Sequence, residues 1–159
     1  MTVLRPPPPR TGWPKILTPE RFMWWPNYTD PDYWQREKAA IYDRLPQIVC
    51  PSALLPDPGM ALPHDATGRP LLVTRDASGM AHVFLNVCRH RGGPLAMDAC
   101  GHAPMLQCKY HGWTYLLDGT LRGVPRFDRT ELFDKKDNGL VPVAVDVWEG
   151  LVWVCTDVA

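Results

Sequence analysis

Beyond Pro51 the apolar positions fall into short β-rich runs separated by turn-forming residues. In RPLLVTRDASGMAHVFLNV (69–87), two runs rich in Leu, Val and Phe flank Asp76-Ala77-Ser78-Gly79, a hairpin signal. The pattern repeats in WTYLLDGTLRGV around Asp118-Gly119, and LVPVAVDVWEGLVWVCT turns at Glu149-Gly150. Runs joined by such short connections predict antiparallel strands. No alternating helices support a parallel sheet. The expected fold class is therefore mainly β, a body of small stacked antiparallel sheets preceded by one N-terminal helix.

That helix is predicted in DPDYWQREKAAIYDRL. Asp30 is its N-cap candidate, and Pro31 stands at the first helical position. Tyr33, Trp34, Ala40, Ile41 and Leu45 recur at loosely helical spacing. Pro46 is expected to end it, because proline disfavours helical geometry in the residue before it. Upstream, Trp13, Phe22, Trp24, Trp25, Tyr28, Tyr33 and Trp34 make an aromatic stretch. It reads as anchors packing an irregular segment onto a neighbouring body, or as a partner interface. Pro6 to Pro9 favour extended polyproline geometry. Residues 1–20 are thus expected to form an extended or mobile arm, 21–50 a helical segment and 51–159 the β domain. No internal repeat interrupts this order.

Composition narrows the partners. The chain has 159 residues, a 45% hydrophobic share, and 17 Lys+Arg against 17 Asp+Glu. A balanced charge gives no global field to attract nucleic acid or an anionic membrane, so neither is an expected partner. No apolar run approaches the roughly 18 residues needed to span a bilayer, and MTVLRPPPPR lacks the apolar core of a secretory signal. A cytoplasmic location follows as the expectation. Five cysteines are an odd number for a disulfide framework, and in a reducing compartment cysteines near histidines more often bind metal.

The candidate chemistry lies in NVCRHRGG and CKYHGW. Cys88-x-His90 is followed by seventeen intervening residues and then by Cys108-x2-His111. Each loop offers one thiolate and one imidazole. A single zinc takes two Cys and two His, but its usual knuckles place like ligands together as C-x2-4-C and H-x3-5-H. Two adjacent irons suit the mixed loops better, since each loop can send its cysteine to one iron and its histidine to the other. That arrangement is a Rieske [2Fe-2S] centre, with Cys88, His90, Cys108 and His111 as its metal ligands. Gly92, Gly93 and Gly112 are expected to let backbone pass close to the sulfides, and Pro94 to stiffen the first loop. Zinc and a set of scattered core residues are the competing readings. Cys50, Cys100 and Cys155 read as inert thiols. His64, His82 and His102 read as surface or loop histidines.

NVCRHRGGPLA and QCKYHGWTYLLDGTLRGVPRF resemble the two cluster loops of the α subunits of Rieske non-haem iron aromatic-ring-hydroxylating oxygenases. YTDPDYWQREKAAIYDRL is similar to the helix preceding that domain. The resemblance runs over residues 21 to 157, with Arg89, Arg91, Tyr110 and Trp113 at loop positions typical of the oxygenase branch. It implies a Rieske-type fold in residues 51–159 and the same four ligands. Respiratory Rieske proteins carry an extra cysteine in each loop, where this chain has Gly93 and Tyr110, and a serine where it has Trp113. With fewer donors to the reduced cluster, a potential on the order of −150 mV is expected.

The family's subunits continue into a larger domain whose mononuclear iron is held by two histidines and a carboxylate. No such triad is expected within these 159 residues. The chain is therefore expected to be an oxidoreductase component. It would pass electrons from a reductase or ferredoxin donor to a mononuclear-iron catalytic domain or subunit lying outside it, within a possible homo-oligomer that serves aromatic catabolism as a dioxygenase. A stand-alone Rieske-type ferredoxin is the second reading, and a regulatory or assembly module the third.

Overall fold

The computed structural model describes residues 28–99, 101–125 and 133–155. The expected arm over 1–20, the aromatics from Trp13 to Trp25, and Cys100 lie outside the described residues. The chain divides into two units, Met1–Ile41 and Tyr42–Ala159.

In the first unit, α1 runs over Pro31–Glu37. Asp30 caps it as expected, its Oδ1 accepting from the N–H groups of Asp32 at 2.9 Å and Tyr33 at 3.4 Å. The helix then widens into a π-helical turn at Lys38–Tyr42, stopping short of Pro46. Ile41 and Tyr42 are weak helix formers, and no residue of α1 is buried to hold a longer run in place.

Among the described residues, the second unit holds nine strands in two antiparallel sheets. The larger, ordered β1-β9-β8-β4-β3-β2, contains β1 (Gln47–Pro51), β2 (Ala61–His64), β3 (Leu71–Arg75), β4 (Ala81–Leu85), β8 (Pro142–Trp148) and β9 (Leu151–Cys155). The smaller is β5 (Met105–Gln107), β6 (Thr114–Leu116) and β7 (Leu121–Gly123). The three predicted hairpins are β3–β4, β6–β7 and β8–β9. β2–β3 is a fourth, and the sequence reading did not single it out. The expected boundary at residue 50 falls inside β1, whose pairing with β9 puts residues 47–50 in the β body.

β3 explains how one thin sheet supports two cores. Leu71 to Thr74 are all buried, yet they alternate in destination. Leu72 joins Phe84, Leu106, Trp113, Tyr115, Leu117 and Leu121 beneath the small sheet. Leu71 and Val73 join Val49, Val83, Val143, Val152 and Val154 on the opposite side. A strand apolar on both faces is a middle layer. Thr74 fits the same logic, since its buried hydroxyl donates to the Leu117 carbonyl at 2.7 Å and ties the β6–β7 turn to the large sheet. Gly119 sits in that turn at φ +86°, and a Cβ there would come within 2.5 Å of the Phe84 ring, so glycine is required.

His82 departs from expectation. It lies on β4, half-buried, with Nε2 2.9 Å from Asp76 Oδ2. His64, on β2, is half-buried with an enclosed Nε2. His102 alone of the three is well exposed. Burial works to raise the Asp76 pKa. The hydrogen bonds from His82, the Ser78 hydroxyl and the N–H groups of Met80 and Ser78 outweigh it and hold the carboxyl far below the usual carboxylate range. A depressed carboxylate stabilises the fold above its unfolded pKa, and that contribution fades as pH falls. Asp76→Ala is expected to cost about 2 kcal/mol near neutral pH. In urea unfolding, the gap to wild type should narrow as pH drops below about 4.

Candidate metal centre

The connection from β4 to β5 and that from β5 to β6 carry the two predicted loops, and both close in the same way. Gly92 N–H donates to the Cys88 carbonyl at 2.9 Å, while Cys88 N–H donates to the Gly93 carbonyl at 2.8 Å. In the second loop Gly112 N–H donates to the Cys108 carbonyl at 2.9 Å, and Cys108 N–H to the Trp113 carbonyl at 2.8 Å. Cys88 thus corresponds to Cys108 and Gly92 to Gly112. The histidines occupy adjacent, non-equivalent loop positions, which is why one motif reads C-x-H and the other C-x2-H.

This closure gives two of the glycines their reason. Gly92 at φ +73° and Gly112 at φ +76° each end the turn in the left-handed region. Gly93 has no such constraint. A Cβ there would stand 3.6 Å from Cys108 Sγ and 3.9 Å from Tyr110 Cβ, so positions 93 and 110 face each other across the loops.

The four predicted residues come together in pairs. Cys88 and Cys108 are buried, 2% and 4% exposed, within one core. His90 and His111 emerge from it with ring centroids 4.7 Å apart and planes at 74°. Among the described residues, no group of three or more His, Cys, Asp or Glu is gathered around one point. A paired donor set of two sulfurs and two imidazoles has the chemistry of a binuclear cluster with unlike irons. Desolvation, then His111 and Arg91, hold the His90 pKa below its ordinary value. That favours the neutral imidazole a metal takes.

Sequence reasoning missed two side chains. Tyr115, fully buried on β6, accepts from Arg89 N–H at 3.1 Å and lies 3.4 Å from Cys88 Sγ. Either atom of that pair can donate, and against a thiolate the phenol is the donor. Burial first, then the bond to Cys88, push the phenol well above its ordinary pKa, so it remains a neutral donor. The expectation of few donors counted Trp113 in place of a serine and overlooked this hydroxyl two residues on. The other is Asn86, the first letter of NVCRHRGG. Its Oδ1 accepts from Leu95 N–H at 2.9 Å and Ala96 N–H at 3.2 Å, and its Nδ2 donates to the Ala96 carbonyl at 2.7 Å. The first loop is pinned shut by its own flank. An asparagine before a loop is common enough that only the fold singles it out.

Cys50 is buried in the second core, and burial pushes its thiol pKa up. Cys155 is half-buried, its Sγ 3.6 Å from the Arg44 carbonyl. Both stand on or beside the β1–β9 pair, away from the loops.

The chain belongs to the Rieske [2Fe-2S] domain family, whose model matches residues 46–143, and that cluster is the family's cofactor. It is 30% identical over 130 residues to the carnitine monooxygenase oxygenase subunit of Acinetobacter baumannii, covering 82% of this chain and 35% of the relative. It is 36% identical to the large oxygenase component of a naphthalene 1,2-dioxygenase system from Pseudomonas aeruginosa, covering 80% of this chain and 29% of the relative. A solved quaternary ammonium Rieske monooxygenase bound to an inhibitor superposes with a TM-score of 0.76 at 30% identity, over 82% of this chain and 36% of that one. The chain therefore spans about a third of the length of these relatives. It is homologous to the Rieske domain of oxygenase α subunits. The aromatic narrowing expected from sequence is finer than the family, because relatives named for carnitine and for naphthalene each match over about four-fifths of the chain.

Asn86→Ala would leave two buried N–H groups and a carbonyl without partners. It is expected to destabilise the chain by about 2 to 4 kcal/mol in denaturant titration. Loss within the range of an ordinary surface substitution, under about 0.5 kcal/mol, would show that the loop does not depend on this clip.

Proposed function

We propose that this chain is an electron-transfer domain in which Cys88 and Cys108 hold one iron of the [2Fe-2S] cluster and His90 and His111 the other. The single observation that carries this reading is the pair of equivalently closed loops, which buries both sulfurs and brings both imidazoles to the surface side by side. When bound, the cluster supplies a one-electron carrier. The chain's own residues do the rest. Trp113, Leu95 and Leu106 share the buried core that holds both cysteines, and Tyr115 holds a proton toward the Cys88 thiolate.

The domain would accept electrons from a reductase or ferredoxin and deliver them to a mononuclear-iron oxygenase domain or subunit, in a cytoplasmic and oligomeric enzyme. Among the described residues no helix is long and apolar enough to cross a membrane. The substrate belongs to that catalytic domain, and the relatives' names extend it beyond aromatic hydrocarbons to carnitine. Residues 51–159, with β1 added, form the electron-carrying body, and the helical segment precedes it.

Metal and sulfide analysis with electron paramagnetic resonance of the reduced protein is the direct test. Two irons and two acid-labile sulfides per chain are expected. Cys88→Ala and Cys108→Ala should each lose the signal and much of the stability, because ligand binding is coupled to folding. One zinc per chain with no sulfide would overturn the reading.

Arg89 and Arg91 are exposed beside His90, and Lys109 is exposed beside Tyr110. Such a basic rim suits an acidic donor. Reversing Arg89 and Arg91 to Glu should slow reduction by a ferredoxin by on the order of tenfold at low ionic strength. In stopped-flow traces the deficit should close toward about 1 M salt, where screening is strong. A deficit insensitive to salt would assign these arginines another role.

A further inference from the structure

We infer that Trp113 is a positioning residue that fixes the ring plane of His90, a role resting on the ligand reading above. Its backbone belongs to the second loop, where its carbonyl accepts from Cys108 N–H. Its side chain serves the first. The indole lies 9° from coplanar with the His90 imidazole at 4.9 Å between centroids, a parallel stack across the two loops. Trp113 is itself only 2% exposed. Phe133 meets it edge-on at 5.4 Å and 68°, so the wall behind His90 is backed in turn.

The other imidazole is treated differently. His111 packs against Tyr110, centroids 3.8 Å apart with planes at 38°, and Tyr110 is 63% exposed. An exposed ring reorients on the picosecond to nanosecond scale, whereas one locked in a packed core does not. The two histidines therefore meet at their 74° angle with unequal restraint. His90 is the fixed member because a buried indole holds its plane, and His111 the adaptable one. The orientation of a ligating imidazole sets its overlap with the metal, and outer residues that orient ligands tune the centre they surround.

The test uses the full chain with its cluster in place, histidine labelled with nitrogen-15, and pulsed electron paramagnetic resonance of the reduced state. Wild type should show two resolved histidine nitrogens with narrow couplings. Trp113→Leu should retain two irons and two sulfides, yet one of the two couplings should broaden by about twofold while the other stays as it was. Leu117→Ala, in the same core, controls for lost packing and should lower thermal stability without altering either coupling. If Trp113→Leu does not accumulate as folded protein, Trp113→Phe decides. It keeps a smaller aromatic face and should broaden the same coupling measurably but less. Unchanged couplings in the loaded variant, or equal broadening of both, overturn the inference alone. Wild-type protein lacking two irons and two sulfides overturns the ligand reading, and this inference with it.

Discussion

The site depends on two reciprocal backbone clasps, in which a cysteine N–H donates forward across its loop while its own carbonyl accepts from a glycine. Each clasp consumes the polar groups that would otherwise be stranded as the chain dives into an apolar core, so both cysteines can be buried without orphaned donors. Both require a residue at positive φ, which Gly92 and Gly112 supply. With the clasps in place the sulfurs face inward and the histidines outward. Without them the same residues would lie on two independent loops.

The clasps need a support that does not move, and the layered β body provides it. β3 buries both faces of its chain, one toward each core, so the core beneath the loops is anchored to a strand that the second core also grips. The loops are then cross-braced from a single source. The short run Trp113-Thr114-Tyr115 contributes a carbonyl to the second loop, a hydroxyl to Cys88 and the backbone of Arg89 in the first, and an indole behind His90. Trp113 immediately precedes β6, and it and Tyr115 enter the same core while Thr114 between them stays half-buried.

Much of this was legible in the residues alone. The proposed ligand quartet rests on local spacing, and three of the hairpins carry Gly at a turn, where a φ between +76° and +86° now accounts for it at Gly79, Gly119 and Gly150. What escaped was non-local. Tyr115 reads as a strand residue until the fold brings it 3.4 Å from a cysteine 27 positions earlier. His82 reads as a loop histidine because nothing in the sequence says that Asp76 curls back through its own turn to meet it. The helix end was misplaced because Pro46 is an audible stop signal, whereas a helix with no buried face ends wherever packing ceases to reward it.

The contrast between the two sides of the site has a functional direction on the proposed ligation. The two cysteines are buried in a core shared with Trp113, Leu95 and Leu106, and a charge placed there is poorly solvated. The imidazole side faces outward, with Arg89, Arg91 and Lys109 exposed around it. An added electron is stabilised where water and cationic side chains can respond to it, and a partner can approach closely only where the chain is not in the way. Both conditions hold on the histidine side, where His111 and the flanking Arg89 and Arg91 are exposed. On that ligation, electron exchange would be directed through the imidazoles by the same burial pattern that makes the cysteines part of the core.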